Sequence, residues 1–151
     1  LMHVTRLDMC SRLPGYEFVI PDHVREEITD ATQRPVVDAA VARGAFRLEA
    51  ITGFTAVALF AELIAHIGRG EAACLTLAVE RGWRIASDEK GRFRREAERR
   101  IGSDRIMGTK DLYVLAIRAG LLTIEQADDD KAVLKQHRFR MDIASFRDLV
   151  M

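Results

Sequence analysis

The sequence predicts an α/β protein, a three-layer α/β/α sandwich with a central parallel sheet. Three observations point there. Short apolar runs alternate with helix-period segments along the chain. Glycines stand where the helical patterns stop, as at Gly44, Gly82 and Gly120. The stretch from Gly68 to Arg95 reads as one helix–strand unit, GRGEAACLTLAVERGWRIASDEKGRFRR.

The elements follow in order. Leu1 to Leu13 carries Val4, Leu7 and Cys10 at helical spacing and closes at Pro14-Gly15. Glu17 to Ile20 reads as a strand. Pro21-Asp22 starts a helix with Val24 and Ile28 inward, and Thr32 to Pro35 breaks it. Val36 to Arg43 reads as a helix, Ala45 to Ile51 as a strand, and Thr55 to Ile67 as a half-buried helix. Glu71 opens the central helix, whose face is Ala72, Leu75, Ala78 and Val79, and Gly82 ends it. Trp83 to Ala86 is the next strand, with Asp88 just past it. Arg92 to Ile101 is a basic helix and Arg105 to Met107 a strand. Thr109 suits the N-cap of a helix over Lys110 to Ala119, facing inward with Leu112, Leu115, Ala116 and Ala119. Thr123 suits the cap of a helix to Gln136, with Asp128, Asp129 and Asp130 as an exposed acidic patch. Phe139 to Met151 reads as a terminal helix packing Ile143, Phe146, Leu149 and Val150.

The 151 residues suit one domain, and 48% hydrophobic with 30% charged residues describes a globular chain. The 23 basic and 23 acidic residues cancel, so any case for nucleic-acid binding must be local. Cys10 and Cys74 are too few for a disulfide scaffold and read as reduced thiols of a cytoplasmic protein, Cys74 packed in a core helix. No apolar run reaches the roughly 18 residues of a membrane span, and no signal peptide is visible. Walker A, dinucleotide-binding and nucleophile-elbow motifs are absent. His23 and His66 have no metal-ligand spacing and are left unassigned.

The chemistry rests on three acids. A helix rises about 1.5 Å and a strand about 3.3 Å per residue. Roughly eleven helical residues and a strand of four or five thus cover similar distances in opposite directions. That returns Asp88 to the edge where Glu71 starts its helix, and Glu27, after the first strand, falls on the same edge. This is the carboxyl edge, where open α/β sheets bind ligands. Clustered carboxylates repel unless a cation neutralises them, and Mg²⁺ or Mn²⁺ suits oxygen-only ligation. Such a site can activate water against a phosphodiester. Arg92, Arg94 and Arg95 lie just beyond Asp88, within reach of a nucleic-acid backbone. Each residue has a blander reading. Glu27 is a solvated residue of a helix's early turns, Glu71 a first-turn acid, Asp88 the cap of the next helix, and the arginine run a solvated face.

Four fragments in order, VIPDHVREEI, GRGEAACLTLAVERGW, IASDEKGRFRREAERR and IMGTKDLYVLAIRAGLL, resemble PIN-domain proteins. They resemble in particular the PIN-like nucleic-acid-binding group found beside toxin–antitoxin modules. The resemblance implies four acids holding Mg²⁺ or Mn²⁺ for hydrolysis of RNA phosphodiester bonds. Glu27 matches the acid of the V-x-E-E-I-like stretch, Glu71 that of the G-E-A-x-A helix, and Asp88 the acid after the following strand. Ser87 stands where some members have another Asp. The family's first acid ends an N-terminal strand, whereas Leu1 to Leu13 resembles the helix after it, and Asp8 lies too far into that helix to substitute. The expectation is therefore a single domain over residues 1–151, N-terminally incomplete, with its first strand missing.

The leading function is a metal-dependent endoribonuclease in which Glu27, Glu71 and Asp88 hold metal or orient water and Arg92 and Arg95 contact phosphate. An antitoxin-type partner and a homodimer are further expectations from the resemblance. The alternative is a catalytically silent PIN-like module that binds RNA or a protein. A flavodoxin-like phosphotransfer domain ranks below both.

Overall fold

The structure, a computed structural model, describes Met2 and residues 5–151. Val4 lies outside the described residues. The first helix, α1, is only Leu7–Arg12. Thr5 has a left-handed φ of 53° and Arg6 is not helical, so the pattern cannot extend further back. Leu7, Met9, Cys10 and Leu13 are buried.

Strand β1, Val19–Pro21, begins later than Glu17. Pro21 also caps helix α2, Asp22–Glu27, and its φ of −60° serves both roles. Ile28 has extended ψ and lies just outside α2 rather than inside it. Helix α3, Gln33–Ala42, starts ahead of the expected Val36. Pro35 does not break it, because first-turn N–H groups have no intrahelical partner to lose. The Asp30 carboxylate accepts from the Thr32 and Gln33 N–H groups and anchors the start.

The remaining elements are β2 (Arg47–Glu49), α4 (Phe54–Leu63), α5 (Arg69–Arg81), β3 (Ile85–Ala86), α6 (Arg92–Ile101), a 3₁₀ turn over Ser103–Arg105, β4 (Ile106–Met107), α7 (Thr109–Arg118), α8 (Ile124–Gln136) and α9 (Arg147–Val150). Gly82 ends α5 in the left-handed region at φ 70°. A full capping box opens α8, with Thr123 and Gln126 each bonding the other's backbone.

Every strand pairing is parallel, and helices cover both faces. In β4, Ile106 joins one core with Leu63, Leu75, Phe93 and Ala97. Its neighbour Met107 packs on the other, with Leu112, Tyr113, Leu134 and Phe146. Adjacent strand residues point to opposite faces, so this alternation places the sheet between two helical layers. The strands do not form one sheet, however. Among the described residues β1 pairs with β2 and β3 pairs with β4, and the two halves are not hydrogen-bonded together. The strands, two or three residues each, are shorter than the sequence suggests, and each has one ladder partner among the described residues.

Burial differs from the sequence reading in three places. Val79 is exposed, while Ala73, Thr76 and Leu77 are buried. Helix α5 packs against α2, α4, α6, β1 and β3, so it buries much more than one stripe. Ala119 is exposed and Tyr113 is buried in its place. Asp130 is buried rather than part of a solvated patch. It accepts from Tyr113 Oη at 3.0 Å and pairs with Arg6 at 2.6 Å. The C-terminal stretch is helical only in α9. Its anchor is Phe146, fully buried against Tyr113 with ring centroids 5.3 Å apart. Burying such a side chain contributes about 1.5–3 kcal/mol. Asp128 holds the approach by accepting from Ser145 Oγ and the Phe146 N–H.

Candidate functional site

Two helix starts carry the acids. In α5 the N-cap is Gly68, and Glu71 occupies the third helical position. The Glu71 carboxylate accepts the Gly68 N–H at 3.0 Å through Oε2. Glycine has no side chain to answer, so this is one half of a capping box. Glu27, from the end of α2, reaches the same helix start. Its Oε1 accepts the Gly70 N–H at 2.9 Å. The approach depends on Gly70, since a Cβ there would lie 2.3 Å from Glu27 Oε2 and 3.3 Å from Val24 Cγ2. The structure therefore brings Glu27 and Glu71 together, beside first-turn amides that favour negative charge. Each keeps one carboxylate oxygen without a hydrogen bond among the described residues.

Helix α7 repeats the arrangement. Its N-cap is Gly108, and Asp111 Oδ2 accepts the Gly108 N–H at 2.8 Å. Asp88 does not cap the helix that follows it. It crosses to α7, where Oδ1 accepts the Thr109 N–H at 2.9 Å and Oδ2 accepts from Thr109 Oγ1. Thr109 is consequently not the N-cap that the sequence suggests. Its hydroxyl serves Asp88, and Gly108 takes the cap position. A Cβ on Gly108 would come 2.8 Å from Asp88 Oδ1 and 3.7 Å from Asp111 Oδ2, so these two acids are also neighbours. Sequence reasoning missed Asp111. The signal was present: Gly68-Arg-Gly-Glu71 and Gly108-Thr-Lys-Asp111 share a glycine followed by an acid three positions on.

Hard oxygen donors of this kind suit Mg²⁺ or Mn²⁺. The assembly is incomplete, however. Among the described residues no three His, Cys, Asp or Glu side chains are gathered to hold one ion. Glu27 and Glu71 form one pair, and Asp88 with Asp111 another.

The surroundings add cations. An open cleft of about 590 Å³ beside Glu71 is lined by His66, Lys90 and Arg92. Arg92 donates to the His66 carbonyl at 3.1 Å. Elsewhere on α6, Arg94 pairs with Glu98, Arg99 with Glu96, and Arg100 with Glu96 and Glu62. Arg95 is exposed and meets no carboxylate among the described residues. Most of the basic helix is thus self-neutralised, and Arg92 and Arg95 are the two arginines of α6 not taken by acids.

Cys74, one turn into α5, has its thiol pushed up to about 12 by burial and then by Glu27 and Glu71. That makes it an inert thiol beside the acid pair. His23 packs against Phe60 with ring centroids 4.6 Å apart and the rings tilted by 47°, and its buried Nδ1 has no hydrogen-bond partner among the described residues.

Parallel strands between helical layers, with acids at helix starts beyond the strand ends, define an α/β protein with an acidic site on its sheet edge. A family model described as a PIN domain (DUF3368) matches residues 1–150, and the chain belongs to that family. Membership suggests a nuclease or toxin–antitoxin role, and PIN domains generally use divalent metal ions. No curated protein and no solved structure gives a significant match. Among the described residues no helix is long and apolar enough to cross a membrane.

Proposed function

We propose that this chain carries the acidic site of a metal-dependent endoribonuclease, with Glu27, Glu71 and Asp88 as the groups that hold Mg²⁺ or Mn²⁺ or orient water. The observation that carries the reading is the convergence of Glu27 and Glu71 on one helix start, each with a carboxylate oxygen left over. A bound divalent cation would supply a more acidic water and neutralise charge developing on a phosphate. Arg92 and Arg95 contact flanking phosphates of the RNA, with Lys90 beside them in the cleft. A protein partner of the antitoxin kind would act by covering this edge. Self-association is supported by the exposed apolar stripe of Phe54, Val57 and Ile64 on and just after α4, where Phe54 is 91% exposed. A cytoplasmic protein fits this role.

One observation favours the second reading, a silent binding module. The acids stand as two pairs and not as one gathered set among the described residues.

The test is cleavage of a mixed RNA pool with Mg²⁺ or Mn²⁺, with EDTA, and with the double variant Glu71→Gln/Asp88→Asn. Metal-dependent cutting that vanishes in EDTA and in the variant is the expected result. Cutting that survives the double substitution would move the site elsewhere. RNA binding without cutting, weakened by Arg95→Glu, would establish the silent module.

A further inference from the structure

Helix α4 is apolar on both sides. Inward, Ala56 and Leu63 are buried, and Leu59, Phe60 and Leu63 join the core that holds Leu75 and Phe93. Outward, Phe54, Val57, Ala58, Ala61, Ile64 and Ala65 are all exposed. Ile64 continues the course of the helix, with its N–H on the Phe60 carbonyl at 3.0 Å. From Phe54 to Ala65 the only polar residues are Thr55 and Glu62. A helix that is apolar all round belongs inside a core or under a partner.

The order of sizes along the outer face specifies the partner. Phe54, Ala58, Ala61 and Ala65 recur at helical spacing and form its crest. A two-fold axis sets identical faces against each other, and two such helices run antiparallel across it. With the axis between Ala58 and Ala61, Ala58 meets the partner's Ala61 and Phe54 meets the partner's Ala65. Val57 meets the partner's Ile64 on one flank, and Thr55 meets the partner's Glu62 on the other. Alanines at the centre let the helices approach closely, and the large side chain at each end covers a small one.

Charge agrees with this pairing. Glu62 is the single charged residue of the outer face, 57% exposed at its side chain and paired with Arg100 at 2.5 Å. In the antiparallel pair it lies beside the first turn of the partner's α4. That helix has Gly53 as N-cap and no side-chain cap, so its free first-turn amides favour an anion. A second copy supplies every one of these matches by symmetry.

The pairing also reaches the candidate site. Ile64 and Ala65 line the open cleft that holds His66, Lys90, Arg92 and Glu71. Phe54 of one copy, seated on the partner's Ala65, therefore stands at the rim of the partner's cleft.

We infer that two copies of this chain pair antiparallel through the outer faces of α4, each lending Phe54 to the rim of the other's acidic cleft. The pairing stands on the helix alone and gives the self-association a register. The role of Phe54 rests on the RNA reading above: a base stacks on its ring while Lys90 and Arg92 take flanking phosphates.

The experiment reads register, association and RNA separately. Thr55→Cys and Ala65→Cys chains are oxidised alone and mixed. In the antiparallel pair the two positions are level with each other, whereas each is about 14 to 17 Å along the axis from its own counterpart, beyond the reach of a disulfide. Cys10 is buried and Cys74 is inert, so neither competes. A disulfide-linked heterodimer is expected in the mixture and no homodimer in either variant alone. Cross-linking of each variant with itself, and not of the mixture, would overturn the register. Sedimentation of the unmodified chain should show dimers, and Ala58→Glu should weaken association by tenfold or more with an unchanged melting point. A chain that is monomeric up to millimolar concentration would overturn the pairing and leave this face to another protein. Phe54→Leu keeps the apolar contact and removes the ring, so RNA binding should weaken about fivefold or more with the dimer intact. Unchanged RNA affinity in that dimer would overturn the role of Phe54. If the unmodified dimer binds no RNA, the RNA reading and the role of Phe54 fall together, and the cross-link still decides the pairing.

Discussion

The starts of α5 and α7 are built alike and differ in one respect that matters for metal binding. Both have a glycine N-cap, an acid at the third helical position bonding back to it, and a second acid arriving from another element. At α5 the visiting Glu27 uses one oxygen on a backbone N–H. At α7 the visiting Asp88 has both oxygens engaged, one by the Thr109 amide and one by its hydroxyl. The α5 pair thus presents free oxygens, whereas Asp88 must release the Thr109 hydroxyl to become a ligand through Oδ2. One threonine separates a poised carboxylate from an occupied one.

The comparison can be broken most severely at Glu71. Glu71→Gln keeps the shape and removes charge, and it should lower metal-dependent RNA cleavage by about 100-fold or more, the upper range for disturbed metal sites. If Asp111→Asn costs as much, the two helix starts are equal partners and Asp111 joins the ligands. Cleavage rates of the two variants against metal concentration decide between these outcomes.

Gly70→Ala is the next largest. The added Cβ would meet the mobile end of Glu27, so Glu27 swings away and the fold survives. Losing a charge-assisted hydrogen bond should cost about 1.5–3 kcal/mol in denaturant unfolding. Gly108→Ala should displace Asp88 in the same way, and equal losses in the two would show that the pairs are equally rigid.

Thr109→Val sharpens the contrast in the opposite direction. It frees Asp88 Oδ2 and keeps the Thr109 amide bond. Mn²⁺ affinity by calorimetry should rise a few-fold, although the melting point should drop slightly.

The smallest effect is in acid. Burial would push the Asp128 carboxyl up, but hydrogen bonds from Ser145 and the Phe146 amide hold it below its usual range. A depressed carboxylate adds stability that is present above its unfolded pKa of about 3.9 and is lost as pH falls through the folded value. Protection of the Phe146 amide, taken relative to its intrinsic exchange rate at each pH, should therefore fall below about pH 4, and Asp128→Asn should remove that dependence.

How much was legible in advance follows from range. The boundaries of α6 agree with the sequence reading because Gly91 and Gly102 flank its periodic face. The helix and strand rises spoke for Glu71 and Asp88, which the structure holds in different pairs, whereas Glu27 reaches the start of α5 from its place after the first strand. Asp111 was not singled out, because its role depends on Asp88 arriving from across the sheet. The acidic patch at residues 128–130 failed for the same reason. Asp130 is buried by Arg6, which lies 124 positions away.

The sequence by itself determined the order of helices and strands, their glycine stops, the family, and the acids offered to the site. These depend on spacing over a few residues, where backbone geometry sets the outcome. Tertiary structure alone decided which arginines of α6 are neutralised, that Thr109 occupies Asp88, and that the sheet stands in two halves among the described residues. Those outcomes depend on which distant groups meet, and hydrogen bonds and ion pairs between elements leave no period in the chain to read.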